Sequence, residues 1–247
     1  MDALVSEGIL LDRHYVFSFC SPSRSALHTG RNPIHVNVLN SDLASVNLAD
    51  PISGFAGLPR NITALPSKLA AAGYTTIQSG KWHIGLATPD HTPHGRGYAH
   101  SLSYLDGANS YWDHTTGDWC KNGGYTDLFA SLGPAYAEVN APNCSQTNQP
   151  PSCRYEDKIF ADFAAAAVHN ASAGAPIFLY FAPHNCHLPL EVPDAQLAKF
   201  AFINDSDARQ RYSAMVNLVD AHIGQVVDAF KAKGLWGNTL MIVTADK

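Results

Sequence analysis

The chain reads as an α/β protein: a mostly parallel sheet covered by helices on both faces. Strand-like runs at 14–19, 74–78, 176–181 and 239–243 alternate with helical stretches, the pattern of parallel strands joined by crossover helices. One run, Pro176-Ile177-Phe178-Leu179-Tyr180-Phe181, is apolar throughout, as suits a strand buried on both faces. The residues with the most chemistry to offer are Cys20 and Arg24, Lys81 and His83, His187, and Asp246. Each group follows the end of one of these runs, and the carboxyl edge of an open α/β sheet is where ligands bind.

Residues 1–13 read as the end of a helix and a turn. His14-Tyr15-Val16-Phe17-Ser18-Phe19 is aromatic and β-branched, hence strand-like, and leads into Cys20. Next comes Cys20-Ser21-Pro22-Ser23-Arg24-Ser25-Ala26-Leu27-His28-Thr29-Gly30. Ser21 suits an N-cap, Pro22 the first helical position and Gly30 the residue past the end, which predicts a short helix with Cys20 at its mouth. Unpaired N–H groups there favour an oxyanion. Arg24, four residues on, falls on the same side and can fork onto sulfate or phosphate oxygens.

Residues 31–60 are Pro/Gly-punctuated and read as loop. A helix over 65–72 ends at Gly73, a strand over 74–78 follows, and Gly80-Lys81-Trp82-His83-Ile84-Gly85 comes directly after it. Residues 86–153 are rich in Gly, His, Tyr, Asn and Pro without a clear period. They read as a loop-rich insertion over the site side of the sheet, where substrate selection resides. Its histidines, His91, His94, His100 and His114, match no standard zinc spacing.

From Tyr155 the alternation is plain. A helix over 159–169 precedes the apolar strand, which ends in Ala182-Pro183-His184-Asn185-Cys186-His187-Leu188-Pro189. Tyr212, Met215, Val216, Val219, Ile223, Val226, Val227 and Phe230 recur at helical spacing, giving an amphipathic helix stopped by Gly234 whose stripe reads as core. A final strand over 239–243 delivers Asp246.

A chain of 247 residues suits one large domain over 1–247 better than two small ones. Sixteen basic against twenty-one acidic residues give a net charge of −5. With no Lys/Arg cluster, this argues against a nucleic-acid partner. No apolar run reaches membrane-spanning length, and the first residues lack the basic start and apolar centre of a signal peptide.

Two of these stretches carry a family resemblance. Cys20-Ser21-Pro22-Ser23-Arg24 followed by Thr29-Gly30-Arg31 resembles the signature of the type I sulfatases. Gly80-Lys81-Trp82-His83-Ile84-Gly85 resembles that family's second signature at every defined position. Gly107-Ala108-Asn109-Ser110-Tyr111-Trp112-Asp113-His114 resembles, more weakly, a loop of the arylsulfatase B-like branch. The resemblance covers almost the whole chain. It implies the alkaline phosphatase-like α/β sandwich and a sulfuric ester hydrolase acting on a glycan or small-molecule sulfate monoester. It implies that a formylglycine-generating enzyme converts Cys20 to the nucleophile, Cα-formylglycine, whose hydrate Arg24 holds. It further implies His83 as proton acceptor, and Lys81 and His187 as groups that bind sulfate oxygens and protonate the leaving group. Asp246 and the modified Cys20 would be ligands of a bound Ca²⁺ or Mg²⁺.

With Cys20 modified, four of the five cysteines remain, the parity for two disulfides. Cys120, Cys144 and Cys153 lie in a loop-like stretch, and Cys144–Cys153 is the favoured pair; Cys186 reads equally as a buried thiol. Asn-x-Ser/Thr triplets at Asn61, Asn143, Asn170 and Asn204 point to a glycoprotein of the secretory route, lysosomal or extracellular.

The chain also departs from the family pattern. No Asp-Asp pair stands among the nineteen residues before Cys20, and Asp246 is followed by Lys247 where the family has Asn or His. A downstream sulfate-binding lysine and a small C-terminal domain are also missing, so the sequence reads as the central part of a sulfatase truncated at both ends. Two alternatives follow: a sulfatase-like remnant without catalysis, and a phosphate or phosphonate monoesterase of the same superfamily.

Overall fold

The structure, a computed structural model, describes residues 1–36, 47–116, 124–131, 136–138, 144–172 and 174–247. Helix α1 (Asp2–Glu7) is followed by α2 (Cys20–Thr29) and α3 (Leu65–Ala71), then by strands β1 (Thr75–Lys81), β2 (His100–Tyr104), β3 (Phe129–Ser131) and β4 (Tyr136–Glu138). Helix α4 (Glu156–Asn170), strand β5 (Ile177–Ala182) and helices α5 (Asp194–Leu197) and α6 (Asp207–Ala232) complete the order. The sheet runs β4-β3-β2-β1-β5. Its centre is parallel, with β1 paired to β2 on one side and to β5 on the other, while β3 and β4 add an antiparallel margin.

Strand side chains alternate between faces, and this alternation separates two cores. Phe178 and Tyr180 of β5 pack with Trp82, Ile84 and Tyr98. His28 of α2 sets its ring edge-on to Trp82, Tyr98 and Tyr180. On the opposite face Leu102, Tyr104 and Phe181 pack with Ile159 and Phe160 of α4. Ser79 of β1 is tied to that helix by donating to the Phe160 carbonyl at 2.8 Å. Helices therefore cover both faces of the parallel centre, as expected. The stripe on α6 is only partly core: Met215, Val226 and Val227 are buried, but Tyr212 and Val216 are exposed.

Two expected strands are not strands. Residues 14–19 and 239–243 join no ladder of the described sheet. His14, in the first, and Thr244, just past the second, hydrogen-bond through Nε2 and Oγ1 at 3.1 Å, and Tyr15, Phe19, Leu240 and Ile242 stand exposed. β-branched and aromatic residues favour extended chain, but a strand also needs a neighbour to satisfy its backbone groups. The reverse error lies in 86–153. That stretch contains β2, a buried strand at the centre of the sheet, and the margin β3–β4, so it is no simple loop insertion.

The favoured disulfide is present, Cys144–Cys153, with Cα atoms 5.8 Å apart. Cys186 is a free, half-buried thiol. Cys120 and Asn143 lie outside the described residues, and Asn61, Asn170 and Asn204 are exposed. No helix among the described residues is long and apolar enough to cross a membrane.

Candidate active site

Cys20 is the first residue of α2, capped by Phe19; the expected cap, Ser21, lies one turn position inside. Ser23 explains the earlier start. Its hydroxyl accepts the Phe17 N–H at 3.0 Å, which fixes the chain entering the helix. Gly30 ends the helix with φ 66°, the left-handed conformation that glycine adopts without penalty.

Strand β1 carries Lys81 to the mouth of this helix. The Lys81 ammonium donates to Cys20 Sγ at 3.1 Å, and the half-buried His187 side chain, beyond the end of β5, lowers the same thiol. Burial alone would raise the Cys20 thiol, but His187 and the Lys81 charge outweigh it and bring it down to about 7. Lys81 is itself lowered to about 8, first by burial and then by the Arg24 cation, against the pull of Cys20.

Arg24 lies one turn along α2, 5% exposed. Its Nε donates to Asp246 Oδ2 at 2.8 Å and its Nη2 reaches the same oxygen at 2.7 Å. Its Nη1 donates to the Lys81 carbonyl at 2.7 Å and to the Tyr180 hydroxyl at 3.2 Å. Burial opposes the guanidinium charge, but Tyr180 and Asp246 more than compensate and raise its pKa. Burial would likewise raise Asp246, yet the cations Arg24 and Lys81 hold it below the ordinary carboxylate range.

His83 follows two residues after β1 with φ 57°. Its ring lies so close to Gly107 that a Cβ there would come within 3.0 Å of it. Burial, then the Lys81 and Arg24 charges, push it well below the ordinary histidine range, so it is a neutral imidazole. Its Nδ1 is buried without a hydrogen-bond partner among the described residues. The structure therefore gathers Cys20, Arg24, Lys81 and Asp246 through direct contacts, with His187 and His83 within their electrostatic reach.

Sequence reasoning missed three neighbours. Tyr180 sits in a run read as uniform core, although alternation along β5 puts its hydroxyl on the Arg24 face. Asp106, in the Asp-Gly turn after β2, is buried within reach of the Lys81 charge; that turn signal was available once β2 is recognised. His28 braces α2 from inside, bonding the Arg24 carbonyl at 2.8 Å and the Tyr98 hydroxyl at 3.0 Å.

The donor set does not fit a hard divalent cation. Ca²⁺ and Mg²⁺ require about six oxygen ligands, whereas among the described residues no three His, Cys, Asp or Glu side chains gather to hold a metal. Asp246, the carboxylate expected as a ligand, has Oδ2 committed to Arg24. The cations Lys81 and Lys247 also lie within its electrostatic reach.

Comparison with known proteins agrees with the geometry. A family model described as Sulfatase matches residues 1–247. The chain is 29% identical over 246 residues to arylsulfatase J of Mus musculus, covering all of this chain and 38% of that protein. It is 30% identical over 257 residues to arylsulfatase A of Bos taurus, covering all of this chain and 46% of that one. The chain thus spans less than half the length of either relative. Among solved structures it resembles Ps i-CgsB in complex with k-i-k-neocarrahexaose, at 26% identity and a TM-score of 0.67 over 89% of this chain and 46% of the other. It shares the fold of the putative sulfatase yidJ from Bacteroides fragilis, at 19% identity and a TM-score of 0.68 over 96% of this chain and 54% of the other. With the sheet, the Cys20 helix and the Lys81 strand end in hand, the chain belongs to the sulfatase family.

Proposed function

We propose that this chain is the nucleophile-bearing and sulfate-binding part of a sulfuric ester hydrolase acting on a glycan or small-molecule sulfate. The observation that carries the reading is the Cys20 thiol held between the Lys81 ammonium at 3.1 Å and His187, with the Arg24 guanidinium behind it. A sulfate monoester brings three oxygens that need donors, and buried donors aimed at one point bind it far better than water-exposed ones.

Cys20 is read as the residue oxidised to Cα-formylglycine. The hydrated aldehyde supplies two hydroxyls on one carbon, one to take the sulfuryl group and one to expel it. The surroundings of Sγ suit such a group, since Lys81 and His187 provide one polar partner for each oxygen. Lys81 and His187 are assigned to binding sulfate oxygens and protonating the departing alcohol. Arg24 keeps the first turn of α2 charged and rigid through its bonds to Asp246, the Lys81 carbonyl and Tyr180. His83, neutral and with no partner for Nδ1 among the described residues, is the proton acceptor. No step is assigned to a divalent cation.

The exposed asparagines at 61, 170 and 204 and the Cys144–Cys153 bond support maturation in an oxidising secretory compartment, where a formylglycine-generating enzyme would act. Calorimetric titration of inorganic sulfate tests the site. One sulfate per chain is expected, weakened about tenfold by Lys81→Ala or His187→Ala, the loss of one charge-assisted bond. Unchanged affinity in both variants would overturn the assignment.

A further inference from the structure

We propose that the buried acidic first turn of α4, Glu156 and Asp157, is a positioning device that sets His187 against Cys20 by holding the turn 184–187. Its functional meaning rests on the reading above, although the geometry stands apart from it.

Acidic residues at a helix start ordinarily complement the helix dipole from the solvent side. These two do something else. Both are fully buried, and no side chain caps the helix N-terminus. Both carboxyls turn away from their own helix to the loop after β5. Asp157 accepts two consecutive backbone N–H groups, His184 at Oδ1 and Asn185 at Oδ2, each at 2.7 Å. Glu156 Oε2 lies 2.8 Å from His184 Nδ1, while Oε1 accepts from Asn109 Nδ2 at 2.7 Å.

The path from there to the site is short. The His187 N–H donates to the His184 carbonyl at 3.0 Å, so the peptide that Asp157 grips is also the start of the turn carrying His187. The Tyr111 hydroxyl donates to the His187 carbonyl at 3.0 Å, and its ring stacks on His184 at 4.0 Å. The route is through backbone, since His184 Nε2 is buried without a partner among the described residues and so passes no proton onward.

The arrangement is costly. Burial raises Glu156 well above the ordinary range, and raises Asp157 to about 7 even against its two backbone bonds. A loop needing only any fold could be tied by uncharged groups. Two consecutive N–H groups held by one planar carboxyl fix the orientation of the peptide as well as its place.

Methylthiolation of Cys20 by methyl methanethiosulfonate at neutral pH reads the device without any sulfate ester; the small reagent suits a thiol only 4% exposed. The rate is followed by the mass of the tryptic peptide from His14 to Arg24 in the full chain. His187→Ala is expected to slow the reaction about fivefold, because the thiolate loses a partner. Asp157→Ala should slow it by the same factor, and the double variant should be no slower than His187→Ala alone. Asp157→Asn, which keeps one acceptor, should fall between Asp157→Ala and wild type. If Asp157→Ala does not melt cooperatively, Asp157→Asn and Glu156→Gln are compared with His187→Ala in the same way. A wild-type rate in the folded variants, or slowing that multiplies with that of His187→Ala, would overturn the proposal. Loss of sulfate binding with this coupling intact would instead count against the hydrolase reading alone.

Discussion

Lys81 Nζ donates to Cys20 Sγ at 3.1 Å, although 61 residues separate them in the chain. The strand end and the helix start are thereby one electrostatic unit: the ammonium lowers the thiol, and the thiol resists the loss of the ammonium's proton. Lys81→Met keeps the apolar stem and removes the charge. Burial, the largest influence on Cys20, would then be opposed chiefly by His187, and the thiol is expected to titrate above about 7. Thiolate absorbance followed against pH measures this, and an unmoved midpoint would show that the contact carries no charge coupling.

Arg24 and Asp246 form the second unit, buried on the arginine side and 28% exposed on the carboxylate side. Asp246→Ala leaves the guanidinium with the Lys81 carbonyl and Tyr180 only. The expected cost is about 2 kcal/mol of unfolding free energy, below the full cost of breaking a buried pair because Asp246 is partly solvated. Since Asp246 is paired with Arg24 and held among the Lys81 and Lys247 charges, millimolar Ca²⁺ should not raise the melting temperature of this chain. A saturable rise with Ca²⁺ would contradict that reading.

The expected and observed structures differ for physical reasons that particular residues make clear. β5 was legible because an all-apolar run has few homes other than a buried strand, and α6 because its period is long and regular. β2 was not: His100-Ser101-Leu102-Ser103-Tyr104 puts serines on a buried face, where Ser103 is satisfied by the Gln78 side chain. Local composition cannot reveal such a long-range partner. The runs at 14–19 and 239–243 fail in the opposite sense, having strand composition and no ladder among the described residues. At the site, Cys20, Arg24, Lys81, His83 and His187 were visible as motif positions. The Arg24–Asp246 pairing and the grip of Asp157 on the His184–Asn185 peptide were not, because each joins elements far apart in sequence.

Burial drives His28 down to about 4 from its ordinary 6.5, and the Arg24 and Arg96 charges push the same way. The folded chain therefore refuses a proton that the unfolded chain accepts, and stability falls as pH drops from about 6.5 towards 4. The loss from this one group approaches about 3 kcal/mol. Denaturant titrations of wild type and His28→Phe, which keeps the aromatic contacts, should diverge by that amount across the window. A difference between them that stays constant with pH would rule the mechanism out.

The Cys144–Cys153 bond closes a short loop, with a sequence separation of 9. A loop of that size restricts the unfolded chain by about 2–3 kcal/mol. Replacing both cysteines with serine should lower the melting temperature accordingly, and reductant should do the same to wild type while leaving the double variant unaffected. Equal melting of wild type with and without reductant would mean that the bond does not contribute.

Whether Cys20 is the nucleophile of a sulfatase is read from the mass of one peptide. The chain is secreted from a eukaryotic host behind an added signal peptide and cut with trypsin to release the peptide from His14 to Arg24. Exchange of the Cys20 CH₂SH for CHO is predicted. It should be abolished by Arg24→Ala, read on the correspondingly longer peptide, and be indifferent to Lys81→Ala, because the motif is read as linear sequence before folding. Cys20 recovered as an unmodified thiol, or in a disulfide with Cys186, would contradict the account.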